Sequence, residues 1–293
     1  MIALRSGYVK VGHLELHHTF GGRGRPPLVF IHGLGSSGYI EWRYNLEEFA
    51  GRHRVFAPDL PGFGRSGKPP TARYGIAYFA RAIDRYMESR RLQDVVLVGT
   101  SMGGRVAIEI ALKYRHRIAK LVLVDPLGLG RPAFQPYYPV MLLPRVGETL
   151  IHGVKHAFRV APAGMLRRIA GRYVGAKGDL ARAMSDEYLG HMREMYATSG
   201  YPEAYIRTVR SLVSPRAFFS GQVDVTARLG EVEIPILLIW GSRDPLFPVA
   251  HAGRAHARLP NSRLVVIEDA GHTPQAERPD EFNRALAEFV RQT

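Results

Sequence analysis

The sequence predicts an α/β protein: a mainly parallel sheet covered by helices on both faces. Three observations carry this. Short continuous apolar runs recur, LVFIHG at 28–33, KLVLVDP at 120–126 and IPILLIWG at 234–241, of the kind buried on both sides in a parallel sheet. Segments of helical spacing alternate with them, and strands alternating with helices imply parallel neighbours. Between two of the runs, VVLVGTSMGG at 95–104 reads as a buried strand, a sharp turn and the start of a helix.

Taken in order, residues 8–11 and 13–20 alternate enough to form a hairpin of edge strands, with Gly12 at the connection. Arg25-Pro26-Pro27 ends the turn before the 28–33 strand, and a helix is expected over 42–50. Residues 54–69, RVFAPDLPGFGRSGKP, give a short strand and then a loop too rich in Gly and Pro for a helix. Residues 74–89 place Ile76, Phe79, Ile83 and Met87 along one helical stripe. The 95–104 unit follows, with its helix over 106–112, and then the 120–126 strand.

After Gly128 the rhythm changes. Helical patterns broken by Pro132, Pro136, Pro139, Pro144, Pro162, Pro202 and Pro215 run to about Gly230, with more Arg and Lys than Asp and Glu. Strand patterning resumes at 234–241 and at RLVVIED, 263–269, before a final helix over 279–290. The organisation expected is therefore a core from 1–128 and 231–293, interrupted by a helical insertion over 129–230.

The chain of 293 residues suffices for one large core with a substantial insertion. It contains no cysteine, which excludes disulfides and thiolate chemistry. No signal-like start and no run of roughly 18 apolar residues is seen, so a soluble, cytoplasmic protein without stable membrane insertion is expected. The formal charge of +14 is spread over amphipathic segments rather than massed in a tail, so no nucleic-acid partner is expected. His17, His18, His116 and His251 lack ligand spacing, and no metal is expected. Gly33-Leu34-Gly35 lacks the third glycine of a dinucleotide fingerprint and no phosphate-binding G-x-x-x-x-G-K-S/T occurs, so no cofactor is expected.

The 95–104 turn carries G-x-S-x-G, the pattern that raises a serine hydroxyl above a sheet. Gly99 and Gly103 fit because a Cβ at either place would strike the adjoining strand or helix. Ser101 needs a base, and the base needs an orienting carboxylate. His272, in DAGHTPQAE after the last strand, and Asp244, in WGSRDPLFP after the preceding one, supply them in the order Ser, Asp, His. Gly271 would permit a tight turn before the histidine, and Thr273-Pro274 would discourage a helix directly after it. Asp244 also suits an Asx turn before a proline. Asp125, ending LVLVDP, competes for the acid role, although Asp125-Pro126 equally suits a turn into the insertion. The oxyanion donors expected are the backbone N–H groups of Met102, after the serine, and of Leu34, in HGLG.

These motifs together resemble the α/β-hydrolase superfamily, in its branch of capped serine esterases and C–C bond hydrolases. FIHGLGSS, APDLPGFGRSGKP, GTSMGG, WGSRDPLFP and AGHTPQAERP match almost end to end. The resemblance implies an α/β-hydrolase fold, a mostly parallel eight-stranded sheet with a helical cap inserted after the sixth strand. It implies Ser101 as nucleophile, Asp244 as acid, His272 as base, and Leu34 and Met102 as the oxyanion hole. The activity it implies first is a carboxylesterase acting on small-molecule short- to medium-chain acyl esters. A C–C bond hydrolase of a vinylogous diketone acid, or a lactonase or perhydrolase, is the alternative. Members of the C–C group commonly carry a tryptophan after the histidine, where this chain has Thr273, and a cap arginine for the substrate carboxylate. Arg167 and Arg168 are candidates for that arginine. Tyr137, Tyr138, Met141, Leu142, Phe158 and Phe218 are expected to line an acyl pocket or to form the insertion's own core.

Overall fold

A computed structural model describes residues 3–131, 133, 135, 137–175, 180–214, 217 and 223–292. Its strands are β1 (Arg5–Val11), β2 (Leu14–Gly21), β3 (Leu28–Ile31), β4 (Val55–Pro58), β5 (Val95–Thr100), β6 (Ile118–Val124), β7 (Ile236–Gly241) and β8 (Ser262–Ile267). They form one sheet in the order β1-β2-β4-β3-β5-β6-β7-β8, antiparallel through β1, β2 and β4 and parallel from β4 to β8. The hairpin is present, but only β1 is an edge; β2 pairs on both sides.

The continuous apolar runs have a simple cause. Side chains alternate across a strand, so a strand covered on both faces must be apolar at every position. Val95 and Leu97 enter one core cluster, while Val96 and Val98 enter the other. Leu121 and Leu123 divide from Val122 and Val124 in the same way.

Helices α1 (Gly38–Ala50), α2 (Ile76–Ser89) and α3 (Met102–Lys113) follow β3, β4 and β5. Trp42, Leu46 and Phe49 of α1 cover one face of the sheet, and Phe79, Ile83 and Met87 of α2 join Val106 and Ile110 of α3 on the other. Helix α1 starts four residues before the expected 42. Its first turn lacks apolar periodicity but is fixed by packing: a Cβ on Gly38 would lie 2.2 Å from the Ala57 carbonyl oxygen. The buried Asp59 carboxylate accepts the Gly38 N–H at 2.7 Å, satisfying an otherwise orphan donor.

Between β6 and β7 lie α4 (Tyr137–Leu142), α5 (Val146–Val160), α6 (Ala163–Ala170), α7 (Leu180–Ala183), α8 (Asp186–Ala197) and α9 (Tyr201–Val213). No strand occurs there among the described residues. Pro132, Pro136, Pro215 and Phe218, and the side chains of Tyr137 and Tyr138, lie outside those described. Helix α10 (Ala250–His256), between β7 and β8, was not expected from periodicity; its buried face, His251, Ala252 and Ala255, gives little apolar signal.

Helix α11 (Pro274–Glu277) corrects a second expectation, that Thr273-Pro274 would discourage a helix directly after His272. Proline stands at the first helical position, where its missing N–H is not needed and its fixed φ suits the turn. Helix α12 (Pro279–Arg291) closes the chain and buries Phe282, Leu286 and Phe289 against the α1 face. Among the described residues no helix is long and apolar enough to cross a membrane.

Candidate active site

Strand β5 ends at Thr100 and α3 begins at Met102, leaving Ser101 alone on the turn with φ 52° and ψ −121°. A non-glycine residue rarely adopts positive φ, so surrounding contacts must hold it there. The Ser101 N–H donates to the Val124 carbonyl at 2.9 Å, and its carbonyl accepts from Leu127 N–H at 3.0 Å. The glycines act by close approach. A Cβ on Gly99 would lie 2.4 Å from the Gly103 carbonyl oxygen, and one on Gly103 would lie 2.4 Å from that of Ile31.

His272 follows β8 and Asp244 follows β7. His272 Nδ1 lies 2.8 Å from Asp244 Oδ2. Asp244 Oδ1 accepts the N–H groups of Leu246 at 2.7 Å and Phe247 at 3.1 Å. The Asx turn and the histidine contact are therefore not competing readings: one carboxylate makes both, and the turn fixes the oxygen that faces the imidazole. Burial alone would pull the His272 pKa down. The Asp244 charge and hydrogen bond outweigh it, with Glu41 and Glu277 adding, so its proton affinity lies above the usual histidine range.

The histidine loop is braced by a carboxylate that sequence reading passed over. Glu277, buried on α11, accepts Gly271 N–H at 2.9 Å and Gly175 N–H at 2.8 Å through Oε2. Through Oε1 it accepts the Thr273 N–H and hydroxyl, both at 3.0 Å. Gly271 is glycine for a different reason than a turn: a Cβ there would meet the Tyr173 carbonyl oxygen at 2.5 Å, because residues 173–175 press on this loop. The His272 N–H donates to that same carbonyl at 2.9 Å.

The loop after β3 lies against the serine, with the position a Gly33 Cβ would take only 3.4 Å from Ser101 Cβ. His32 holds this loop. Leu60 N–H donates to its Nε2 at 2.9 Å, so Nδ1 carries the hydrogen and donates to the Gly33 carbonyl at 2.7 Å. Complete burial lowers the His32 pKa and keeps it neutral. Met102, as the first residue of α3, has an N–H without an intrahelical acceptor.

Ser101, Met102, Leu34 and His272 line one cavity of about 890 Å³ between the carboxyl ends of the strands and the helices after β6. Leu142 and Phe158 line it too, whereas Met141 packs into the core instead. Arg167 and Arg168 do not reach it; Arg167 donates to the Met184 carbonyl and pairs with Asp186. Among the described residues the arginines that line the cavity are Arg131, between β6 and α4, and Arg43, on α1. Arg43 is 6% exposed, donates to the carbonyls of Ile40, Arg182 and Ala183, and leaves Nε without a partner among the described residues. Glu41 is a further wall residue, its Oε1 accepting from Gln275 Nε2 at 2.7 Å. Neither Arg43 nor Glu41 carries a motif signal, because each acts through position on α1 alone. Among the described residues no group of three or more side chains is arranged to hold a metal ion.

A family model described as the alpha/beta hydrolase fold matches residues 26–279. The 2-hydroxy-6-oxononadienedioate/2-hydroxy-6-oxononatrienedioate hydrolase 2 of Pseudomonas putida is 30% identical over 94% of this chain and 92% of that protein. An uncharacterized protein of Mycobacterium tuberculosis is 31% identical over 90% of this chain and 75% of its own length. The structure of the 2-hydroxy-6-oxo-6-phenylhexa-2,4-dienoate hydrolase of Rhodococcus sp. strain RHA1 superposes with a TM-score of 0.82 at 23% identity, covering 100% of both chains. With the fold, the elbow turn and this match across most of its length, the chain belongs to the α/β-hydrolase family and is a hydrolase.

Proposed function

We propose that this hydrolase cleaves the C–C bond beside a ketone in a vinylogous diketone acid, with an attached apolar group held under the 129–230 segment acting as a cap. The observation that carries this reading is Arg43. It puts a buried arginine, with no carboxylate ion pair among the described residues, among the residues lining a mostly apolar cavity that Ser101 also lines. Such a charge favours a substrate bearing its own carboxylate. The P. putida relative's name, a 2-hydroxy-6-oxo-dienedioate hydrolase, supports the same chemistry. This replaces the carboxylesterase first expected with its alternative.

In this reading His272 takes the Ser101 proton as the hydroxyl attacks the C6 ketone of the substrate's keto form. The N–H groups of Leu34 and Met102 hold the oxyanion, and Asp244 orients the imidazole and stabilises its charge. As the intermediate collapses, the C5–C6 bond breaks. Its electron pair spreads through the conjugated chain to the C2 oxygen, His272 returns its proton to that fragment, and the fragment leaves as a dienol. Water, deprotonated by His272, adds to the acyl carbon and releases Ser101, so one water is consumed per bond cleaved.

A carboxylesterase is the second reading, and Glu41 and Thr273 favour it: a carboxylate on the wall repels an acidic substrate, and Thr273 leaves the base without an aromatic neighbour on that side. Comparing kcat/KM for 2-hydroxy-6-oxo-6-phenylhexa-2,4-dienoate with that for p-nitrophenyl butanoate separates the two. The proposal expects the dienoate to lead by about tenfold or more, and the reverse ranking transfers the assignment to esters. Arg43→Met should weaken the dienoate by about 10- to 100-fold more than the neutral ester. Equal losses would mean that Arg43 only holds the 182–183 carbonyls.

A further inference from the structure

We propose that Asp125 stands as a neutral carboxylic acid whose Oδ2–H donates to the Asp244 carboxylate, making Asp125 a positioning residue for the group that orients His272. The inference rests on the roles just given to Ser101, His272 and Asp244. Asp125 is the residue that competed in sequence for the acid position, and the structure gives it no contact with the imidazole.

Its surroundings define its state. Asp125 follows β6 directly, has no exposed surface, and sits at φ 41°, a conformation that aspartate tolerates. Its own N–H donates to the Ile239 carbonyl at 3.1 Å, and its Oδ1 accepts Gly241 N–H at 3.0 Å, which pins the side chain against the end of β7. Oδ2 is buried and no donor among the described residues reaches it. The charged groups that act on it are Asp244, foremost, and Glu277, both acidic.

A carboxylate here would have one oxygen unsolvated and two negative neighbours. A carboxylic acid has a hydrogen to place on that oxygen, and Asp244 is the acidic neighbour that would accept it. Desolvation, with the Asp244 charge second, accordingly pushes the Asp125 carboxyl well above the usual range. Asp244 then receives four donors: the Leu246 and Phe247 amides, His272 Nδ1 and Asp125 Oδ2. The fourth draws negative charge away from the histidine, so it holds the acid in place while limiting how far it raises the imidazole's proton affinity. The groups facing that imidazole are Asp244, Glu41 and Glu277.

Infrared difference spectra and pH–rate profiles test this on the full chain. Wild type minus Asp125→Asn, at neutral pH, should contain the C=O band of a protonated carboxylic acid. Asp125→Asn keeps a donor toward Asp244 and should hold the acid limb of kcat/KM in place, with kcat within about threefold. Asp125→Ala loses the donor and should move that limb to higher pH by about half a unit or more; thermal melting establishes that the variant is folded. No acid band in wild type, or a limb that moves equally in both variants, overturns the proposal. If Asp125→Ala does not fold, the wild-type band decides. Full turnover in Ser101→Ala would instead remove the underlying catalytic reading, and leaves the infrared band untouched.

Discussion

The two walls of the cavity are built by different means. On the sheet side every group proposed to react is fixed by backbone and by buried polar partners. Ser101 is held at positive φ between Val124 and Leu127, Asp244 by two amides of its own turn, and the histidine loop by the four donors that Glu277 accepts. On the side of the inserted helices the wall is mainly side chains, Leu142, Val154, Phe158 and Leu212 among them, packed by contact rather than by directional bonds. A directional network tolerates little displacement, whereas apolar packing tolerates changes of similar volume. Under the proposed function the first wall would set the chemistry and the second what is admitted to it.

Predictions that would break this contrast run from the sheet side outward. Ser101→Ala should lower kcat by about 10³-fold or more on any substrate turned over; steady-state kinetics on purified protein, freed of contaminating activity, is the check. Glu277→Ala should cost about 2–4 kcal/mol of stability, because it strands two buried and two part-buried donors, and should reduce kcat by about 10- to 100-fold with little change in KM. A denaturant titration beside kinetics reads both, and an effect on KM alone would mean the brace serves binding.

The pH dependence sharpens the same wall. In the proposed mechanism His272 must be neutral to take the Ser101 proton, so its raised proton affinity predicts that activity falls as pH drops through a value above the ordinary 6.5. A kcat/KM profile with its acid limb below that value would contradict the Asp244 contact as drawn. The smallest effect belongs to the helical side. Phe158→Leu should change KM by about threefold to tenfold, differently for substrates of different tail length, and leave kcat nearly unaltered. A loss as large as that of Glu277→Ala would erase the distinction between the walls.

Sequence legibility follows the same division. The β5 turn was readable because its pattern is local, with Gly99 and Gly103 within two residues of Ser101, although the contact that requires Gly103 comes from Ile31 on β3. Helix α2 was readable because one stripe of apolar residues meets the sheet. The start of α1 was not, since Gly38 is placed by Ala57 and Asp59 rather than by its neighbours in sequence. Helix α10 was missed because small residues bury well and signal weakly. Pro274 misled because proline ends a helix from inside but opens one from its first position.

What the sequence alone determined is the α/β architecture and a short list of chemically able groups, Ser101, Asp244, His272 and Asp125. These rest on periodicity and on turn chemistry, which act over a few residues. Only the tertiary structure decided which aspartate meets the imidazole, which charged residues face the cavity, and which carboxylate holds the histidine loop. Arg43 and Arg167 are both arginines on amphipathic helices, and what separates them is the direction each faces once the helices have packed. Charge, burial and hydrogen bonding are properties of places in space, and residues far apart in the chain share a place only after folding.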